Sequence, residues 1–394
     1  MRNKMRLGDI ATLITKGTTP TSVGYTFTGT GVNFVKIESI REDGTFIPDK
    51  FAHISDECNT KLKRSQLQEN DILFSIAGAI GRTAIVTKDC LPANTNQALA
   101  IIRIPQGVID YRFLLYALQS DAIIEQAEKQ KQGVAQLNLS LQNINDFEIP
   151  FFTEEEQLTV VEVLSSVDSL LSTRIAQLEQ LDELVKSRFI ELFGDIKTGD
   201  YKFETRKLGE VAEVGSSHRV FTTEFVEEGV PFYRGTEIGE LANGLKPENL
   251  YRITKEHYDR LACDETKPKL GDLLMPSICN KGQVWMVDTD EPFYYKDGRV
   301  LCISPNRKLF NCKYLEQFMR EKTLVEYPKL GSGSTFAEFK IFLLKDIEVL
   351  IPPIELQDQF AAFVEQTDKS KLAVQQSITE LEELKKTLMQ QYFG

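Results

Sequence analysis

Few residues in this chain stand at a spacing that could do chemistry, and each such group falls short of a catalytic set. Gly331-Ser332-Gly333-Ser334 has the glycine content of a phosphate-cradling loop. It lacks the lysine that such a loop brings to the phosphates, and a surface loop is the simpler reading. Glu265-Thr266-Lys267 and Glu338-Phe339-Lys340 have the acid-x-lysine form of nuclease centres. Such triplets arise by chance in a chain with 46 basic and 58 acidic residues. Base methylation would call for Asn or Asp ahead of paired prolines and an aromatic; Ile351-Pro352-Pro353-Ile354 has neither flank. His53, His218 and His257 are scattered, and the cysteines at 58, 90, 263, 279, 302 and 312 form no Cys-x-x-Cys pair. No zinc site is expected. The thiols read as reduced, which suits a cytoplasmic protein.

The elements that dominate the chain are two long helical patterns. Asp168, Leu181, Glu183, Leu184, Phe193 and Gly194 recur two hundred positions later as Asp368, Leu381, Glu383, Leu384, Phe393 and Gly394. Apolar residues at Leu164, Val167, Leu171, Leu178, Leu181, Val185 and Leu192 alternate three- and four-residue steps. Phe360, Val364, Thr367, Val374, Ile378, Leu381 and Leu388 keep the same register. This is the spacing of a coiled-coil seam. Basic residues break both seams, Arg174 and Arg188 in one and Lys371 and Lys385 in the other. About 40 residues at 1.5 Å each make a rod of roughly 60 Å. A single such helix would read as a dimerisation coil; two in matching register, each closing a similar half, read as a duplicated device.

The globular parts repeat as well. Arg6-Leu7-Gly8-Asp9-Ile10 returns as Lys207-Leu208-Gly209-Glu210-Val211, and Asp71-Ile72-Leu73 as Asp272-Leu273-Leu274. Short β-rich runs at 32–37, 71–76, 83–86 and 98–104 precede a helix at about 111–131, matched by 313–325. A glycine loop (Gly133, and Gly331 to Thr335), a last strand and a proline hinge follow in each copy. Thr153 with Glu156 forms a capping box at the entry to the first rod. The boundaries are a first globular domain at 1–153, a long helix at 154–194, a second domain at 195–353 and a second helix at 354–394. The fold class is α+β: two tandem-duplicated domains separated by two long helices. Connectivity requires rods packed side by side to be antiparallel, giving a pseudo-two-fold symmetric coiled coil.

Net charge is −12. Residues 154–193 carry nine acids against three bases and 354–394 seven against four, whereas 1–153 balance at sixteen each. The acidic excess lies mostly on the rods, so a basic face on either domain is compatible with the composition. No apolar run follows Met1 to Arg6, so no signal peptide is expected, and none elsewhere approaches the roughly 20 residues of a membrane span.

Taken whole, the chain resembles the specificity subunit of type I restriction-modification systems. The likeness rests on the order domain, long helix, domain, long helix. It rests also on Leu7-Gly8-Asp9-Ile10 followed by Lys16-Gly17-Thr18-Thr19-Pro20, on Asp71-Ile72-Leu73 through Gly78 and Gly81, and on Ile149-Pro150 with Glu156-Gln157. The second copy departs from it, with Ser216-Ser217-His218-Arg219 at the first loop.

The resemblance implies target recognition domains that each read half of a bipartite site in double-stranded DNA, with the rods setting the spacer. It implies that this chain holds no cofactor. Methylation with S-adenosylmethionine would belong to two partner modification subunits, and cleavage to ATP-dependent restriction subunits. Basic and amide side chains on loops are the candidate contacts, because Arg and Lys suit guanine, and Asn and Gln suit adenine. They are Lys16, Gly17, Thr18, Thr19, Arg64, Arg82, Asn94, Asn96, Lys131 and Asn138 in the first domain. In the second they are Ser217, His218, Arg219, Arg234, Asn280, Lys281, Arg299 and Ser334. A second apolar set on the rods (Val163, Leu170, Leu184 and Phe189, with Phe363, Leu372 and Leu384) is the candidate docking face for the modification subunits. A coiled-coil scaffold that binds proteins, and a self-sufficient DNA enzyme, are the competing readings.

Overall fold

The computed structural model describes residues 3–129, 138–262, 266–330 and 337–394. Two compact units emerge: 1–175 with 376–394, and 176–375. Each long helix is a single 40-residue element, Glu154–Phe193 and Ile354–Phe393, and each contributes to both units.

Within the first unit, strands Leu13–Lys16, Leu99–Arg103, Ile72–Ser75 and Thr83–Ile85 form an antiparallel sheet in that order. Three of the four are nearly wholly buried, which accounts for their continuous runs of Ile, Leu, Ala and Phe. A second sheet pairs Val32–Val35 with Ala52–Ile54 antiparallel and with Ala93–Thr95 parallel. The second unit repeats both sheets. Ala212–Gly215, Val300–Pro305, Leu273–Pro276 and Trp285–Met286 form one, and Tyr251–Ile253, Val230–Tyr233 and Tyr294–Tyr295 the other. The expected helix at 111–131 is two helices, Tyr111–Gln119 and Asp121–Lys129. It breaks at Ser120, whose backbone is extended and whose hydroxyl donates to the Ala117 carbonyl at 2.6 Å. Its counterpart, Cys312–Glu326, is unbroken.

The duplicated Asp-apolar-Leu motifs are structural. Asp71 accepts from the Arg103 guanidinium (2.7 Å) and from the Gln68 N–H (2.7 Å). Asp272 does the same with Arg307 (2.9 Å) and the Lys269 N–H (2.9 Å). Each carboxylate is buried, so the pair satisfies a charge that would otherwise be costly to hold there.

Both long helices enter their domains through one buried glutamine. Gln157 donates to the Phe152 carbonyl (2.9 Å) and accepts from the Asp110 N–H (2.9 Å). Gln357 donates to the Pro352 and Leu309 carbonyls (2.8 and 2.9 Å) and accepts from the Asn311 N–H (2.9 Å). Asp110 and Asn311 are themselves the N-caps of the helices at 111 and 312, so one amide fixes two helix starts together. The box at Thr153 and Glu156 is present, with the Thr153 N–H donating to Glu156 at 2.8 Å.

Each unit shows the helices running antiparallel. In the first, Lys385 pairs with Asp168 at 2.6 Å, and Phe393 packs on Phe113 and Phe152 beside the start of the first helix. In the second, Lys371 pairs with Asp182 at 2.6 Å, and Phe193 meets Phe360 edge-on at 5.4 Å. The lysines that interrupt the seam thus meet aspartates across it, whereas Arg188 pairs along its own helix with Glu191. The repeated Phe-Gly is a plug and a stop. Phe193 is wholly buried, and Gly194 turns at φ +98° where a Cβ would lie 2.1 Å from the Asp200 carbonyl oxygen.

Candidate nucleic-acid interface

Strand register decides where the candidate loops lie. Lys16 faces Ala100, Ser75 faces Leu99 and Phe74 faces Thr83. The loops after Lys16, between Ser75 and Thr83, and before Leu99 therefore leave the sheet at one edge. Pairings of Gly215 with Cys302, Pro276 with Val300 and Leu274 with Trp285 put the second unit's three loops at the equivalent edge.

In the first unit, the Thr18 N–H donates to the Thr95 carbonyl at 3.2 Å, and Thr19 bonds Gln97 through its hydroxyl. Gly17 is buried against this turn; a Cβ would come within 1.9 Å of the Thr95 oxygen. Its role is close packing, a correction to its reading as a contact. Lys16 is exposed, Thr18 and Thr19 are half-buried, and Asn96 turns inward to accept from the Ala98 N–H at 3.1 Å. Asn138, exposed, bridges to Ala77 and so joins the same edge. Arg64 is exposed on the short turn at 63–65. Arg82 donates to the Ile40 carbonyl at 3.1 Å, with Glu42 at 3.8 Å.

Asn94 requires a larger correction. It is wholly buried and bonded to Asn59, Ser65, the Leu62 carbonyl and the Thr95 N–H. It braces the turn and cannot reach a ligand. Lys131 and Ser334 lie outside the described residues.

In the second unit, the loop at 216–219 is tied to the turn at 294–300. Ser217 donates to the Tyr295 carbonyl (2.6 Å), the His218 N–H to the Tyr294 hydroxyl (3.0 Å), and Arg219 to Asp297 (3.1 Å). Arg299 pairs with Glu338 at 2.8 Å, and Lys340 pairs with the same carboxylate. The acid-x-lysine triplet there is an internal ion pair around the buried Phe339. Asn280 and Lys281 are exposed on the loop after Pro276. Arg234 follows the strand at 230–233, next to Gly235, where a Cβ would touch Pro276 at 3.1 Å. The edge thus gathers Ser217, His218, Arg219, Arg234, Asn280, Lys281 and Arg299.

On the rods, Leu170, Leu184, Leu372 and Leu384 are 46 to 62% exposed, and Val163 is half-buried. Phe189 does not belong with them. It is buried among Phe193, Tyr314, Phe318 and Phe360, because the second unit draws this turn of the helix into its core. Phe363 also packs, half-buried, against that core.

Among the described residues no group of three His, Cys, Asp or Glu side chains could hold a metal. No helix among them is long and apolar enough to cross a membrane. Buried thiols are held up in pKa by desolvation, Cys279 to about 11 and Cys302 to about 12, which leaves them poor nucleophiles.

A family model described as the type I restriction modification DNA specificity domain matches residues 2–180 and again 201–385. The chain belongs to this family. Its two specificity domains coincide with the two duplicated halves. It is 24% identical over 370 residues to the type I restriction enzyme MjaVIII specificity subunit of Methanocaldococcus jannaschii, a match covering 87% of this chain and 81% of that one. It is 28% identical over 184 residues to the EcoBI specificity subunit of Escherichia coli, covering 45% of this chain and 38% of that subunit. Among solved structures, the S subunit from M. genitalium superposes with a TM-score of 0.51 at 16% identity, over 100% of this chain and 96% of that one. A chain from work on assembly and conformational transition of the type I R-M system gives 0.61 at 18% identity, over 99% and 97%. These likenesses carry the fold.

Proposed function

We propose that this chain is the addressing subunit of a type I restriction-modification complex. Each specificity domain reads one half of a bipartite site in double-stranded DNA, and the paired helices set the untouched spacer. A rod of roughly 60 Å corresponds to under two turns of duplex, at about 3.4 Å per base pair. Methyl transfer, with S-adenosylmethionine, belongs to two modification subunits docked on the exposed leucines of the rods. Cleavage and ATP hydrolysis belong to restriction subunits, and the assembly works in the cytoplasm on DNA.

The observation that carries this reading is the duplicated loop edge. The same three loops leave the same end of the same sheet in both units, but with different side chains: Lys16, Thr18 and Thr19 in one, Ser217, His218 and Arg219 in the other. One frame carrying two different polar surfaces suits two different half-sites.

The test is a genome-wide methylation map of cells with and without the gene, in the presence of an active modification subunit. Loss of one bipartite motif on deletion is the expected result. An unchanged map would turn the search toward a protein ligand and the scaffold reading.

A further inference from the structure

In both units a cation sits on an aromatic ring directly after the central strand of the three-stranded sheet. Lys36 follows Val35, and its Nζ lies 4.5 Å from the centre of the Phe27 ring. Phe27 in turn packs edge-on against Phe34 at 5.4 Å. Arg234 follows Tyr233 and lies 4.6 Å over Tyr251, which stacks on Phe225 at 4.6 Å. Tyr251 pairs with Phe232 across the ladder; the residue paired with Phe34 is Ala52. With no ring at that place in the first unit, the cation rests on Phe27 instead.

Both posts stand at the loop-bearing edge. The Val35 carbonyl accepts from the Thr95 hydroxyl at 2.8 Å, in the turn that holds Thr18. The Tyr233 carbonyl accepts from the Lys296 N–H at 2.9 Å, in the turn that holds Ser217 and Arg219.

The two cations are presented differently. Lys36 is a point charge with Glu38 at 3.8 Å. Arg234 is a fixed fork. Its Nε and Nη2 donate to the Glu237 carboxylate, whose side chain is 5% exposed and which also accepts from the Arg234 backbone N–H at 2.8 Å. Ring below and carboxylate at one side leave the Nη1 side of the guanidinium outward, with 43% of the side chain exposed. Among the described residues Nη1 donates no hydrogen bond.

We propose that Arg234 reads a guanine in the half-site of the second domain, donating two hydrogen bonds to O6 and N7, with Glu237 and Tyr251 as positioning residues. Lys36 occupies the same place in the first domain and binds a backbone phosphate. This rests on the DNA-addressing reading above. A planar fork held before binding loses little freedom on contact, and guanine offers the matching pair of acceptors in the major groove. A lysine has no fork, and a phosphate asks for none.

The full-length chain, wild type or variant, is assembled with its modification subunit, and methylation is read on duplexes randomised at both half-sites. Arg234→Lys is expected to lose preference for one guanine in one half-site by about ten- to a hundredfold, with the other half-site unchanged. Glu237→Gln weakens the same preference, and Lys36→Ala lowers use of the other half-site evenly over base sequences. An Arg234→Lys complex that keeps its full guanine preference overturns the proposal. So does a uniform loss at every base, or a wild-type half-site without guanine. A wild-type complex that methylates with no bipartite preference removes the addressing reading itself, and the proposal with it.

Discussion

Replacing Gln357 by leucine tests how each long helix is fixed to its domain. The amide is wholly buried and engages two carbonyls and one N–H, at 2.8 to 2.9 Å. Leucine fills similar volume but leaves the Leu309 and Pro352 carbonyls and the Asn311 N–H without a partner. At about 1–3 kcal/mol for each buried polar group left unpaired, and allowing for partial rescue by water, the loss is about 3–6 kcal/mol. Gln157 engages one carbonyl and one N–H, so Gln157→Leu should cost about 2–4 kcal/mol. A unit of 150–250 residues loses about 2–4 °C in Tm per kcal/mol. Gln357→Leu should therefore lower the transition of its unit by about 6–24 °C, and Gln157→Leu by less. Calorimetry on the purified chain, checked by urea unfolding, reads both. A Gln357→Leu protein melting within about 2 °C of wild type, or a reversed order of the two variants, would refute the assignment of these glutamines as pins.

Three further outcomes follow from named contacts. Burial pushes the Glu237 carboxyl up, but hydrogen bonds from Arg234 and from backbone N–H groups, with the Arg234 charge, outweigh it and hold the group below the ordinary glutamate value. Its contribution to stability is present at neutral pH and is lost as pH falls from about 4.3 through the lower folded value. The urea-midpoint gap between wild type and Glu237→Gln should therefore close over that acid window; a gap that widens on acidification would contradict the pairing. Gly17→Ala should displace the first loop, since the new methyl would sit 1.9 Å from the Thr95 oxygen, and methylation mapping should show the first half-site relaxed and the second intact. Leu184→Asp, at a residue 49% exposed, should leave Tm within about 2 °C yet weaken assembly with the modification subunit in sedimentation; unchanged assembly would oppose the docking face.

The long helices were legible because their signal is periodic and occurs twice. Leu164, Val167, Phe360 and Val364 are buried where the seam places them, and Lys371 and Lys385 find aspartates across it. Asn94 and Phe189 were misread for opposite reasons. An asparagine in an amide-rich run looks like a base reader, but four partners from residues 59 to 95 close around it, and long-range hydrogen bonds leave no periodic trace. Phe189 lies off the seam and so looked free, but the core that covers it comes from Tyr314 and Phe318, more than a hundred residues away. Lys36 was within reach of the sequence. Val35-Lys36 aligns with Tyr233-Arg234 in the repeat, and an aromatic stands ahead of each strand at Phe27 and Phe225.

The pattern of what is shared and what differs between the halves follows from burial. Asp71 with Arg103 and Asp272 with Arg307, like Gln157 and Gln357, satisfy groups inside the protein, where an unpaired partner is expensive. Such pins tolerate no independent change, so both copies keep the acid or amide and its donor. In the loops after Lys16 and Gly215 one contact of each copy rests on a backbone acceptor: the Thr95 carbonyl accepts from the Thr18 N–H, and the Tyr295 carbonyl from the Ser217 hydroxyl. A carbonyl makes few demands on the side chain that meets it. Thr18-Thr19 can therefore give way to Ser217-His218 without disturbing the sheet beneath, whereas Gly17, where a Cβ would meet the Thr95 oxygen at 1.9 Å, is fixed in its own copy. A frame built from buried pins, beneath loops that meet it partly through backbone carbonyls, is what allows one fold, used twice, to carry two different loop surfaces.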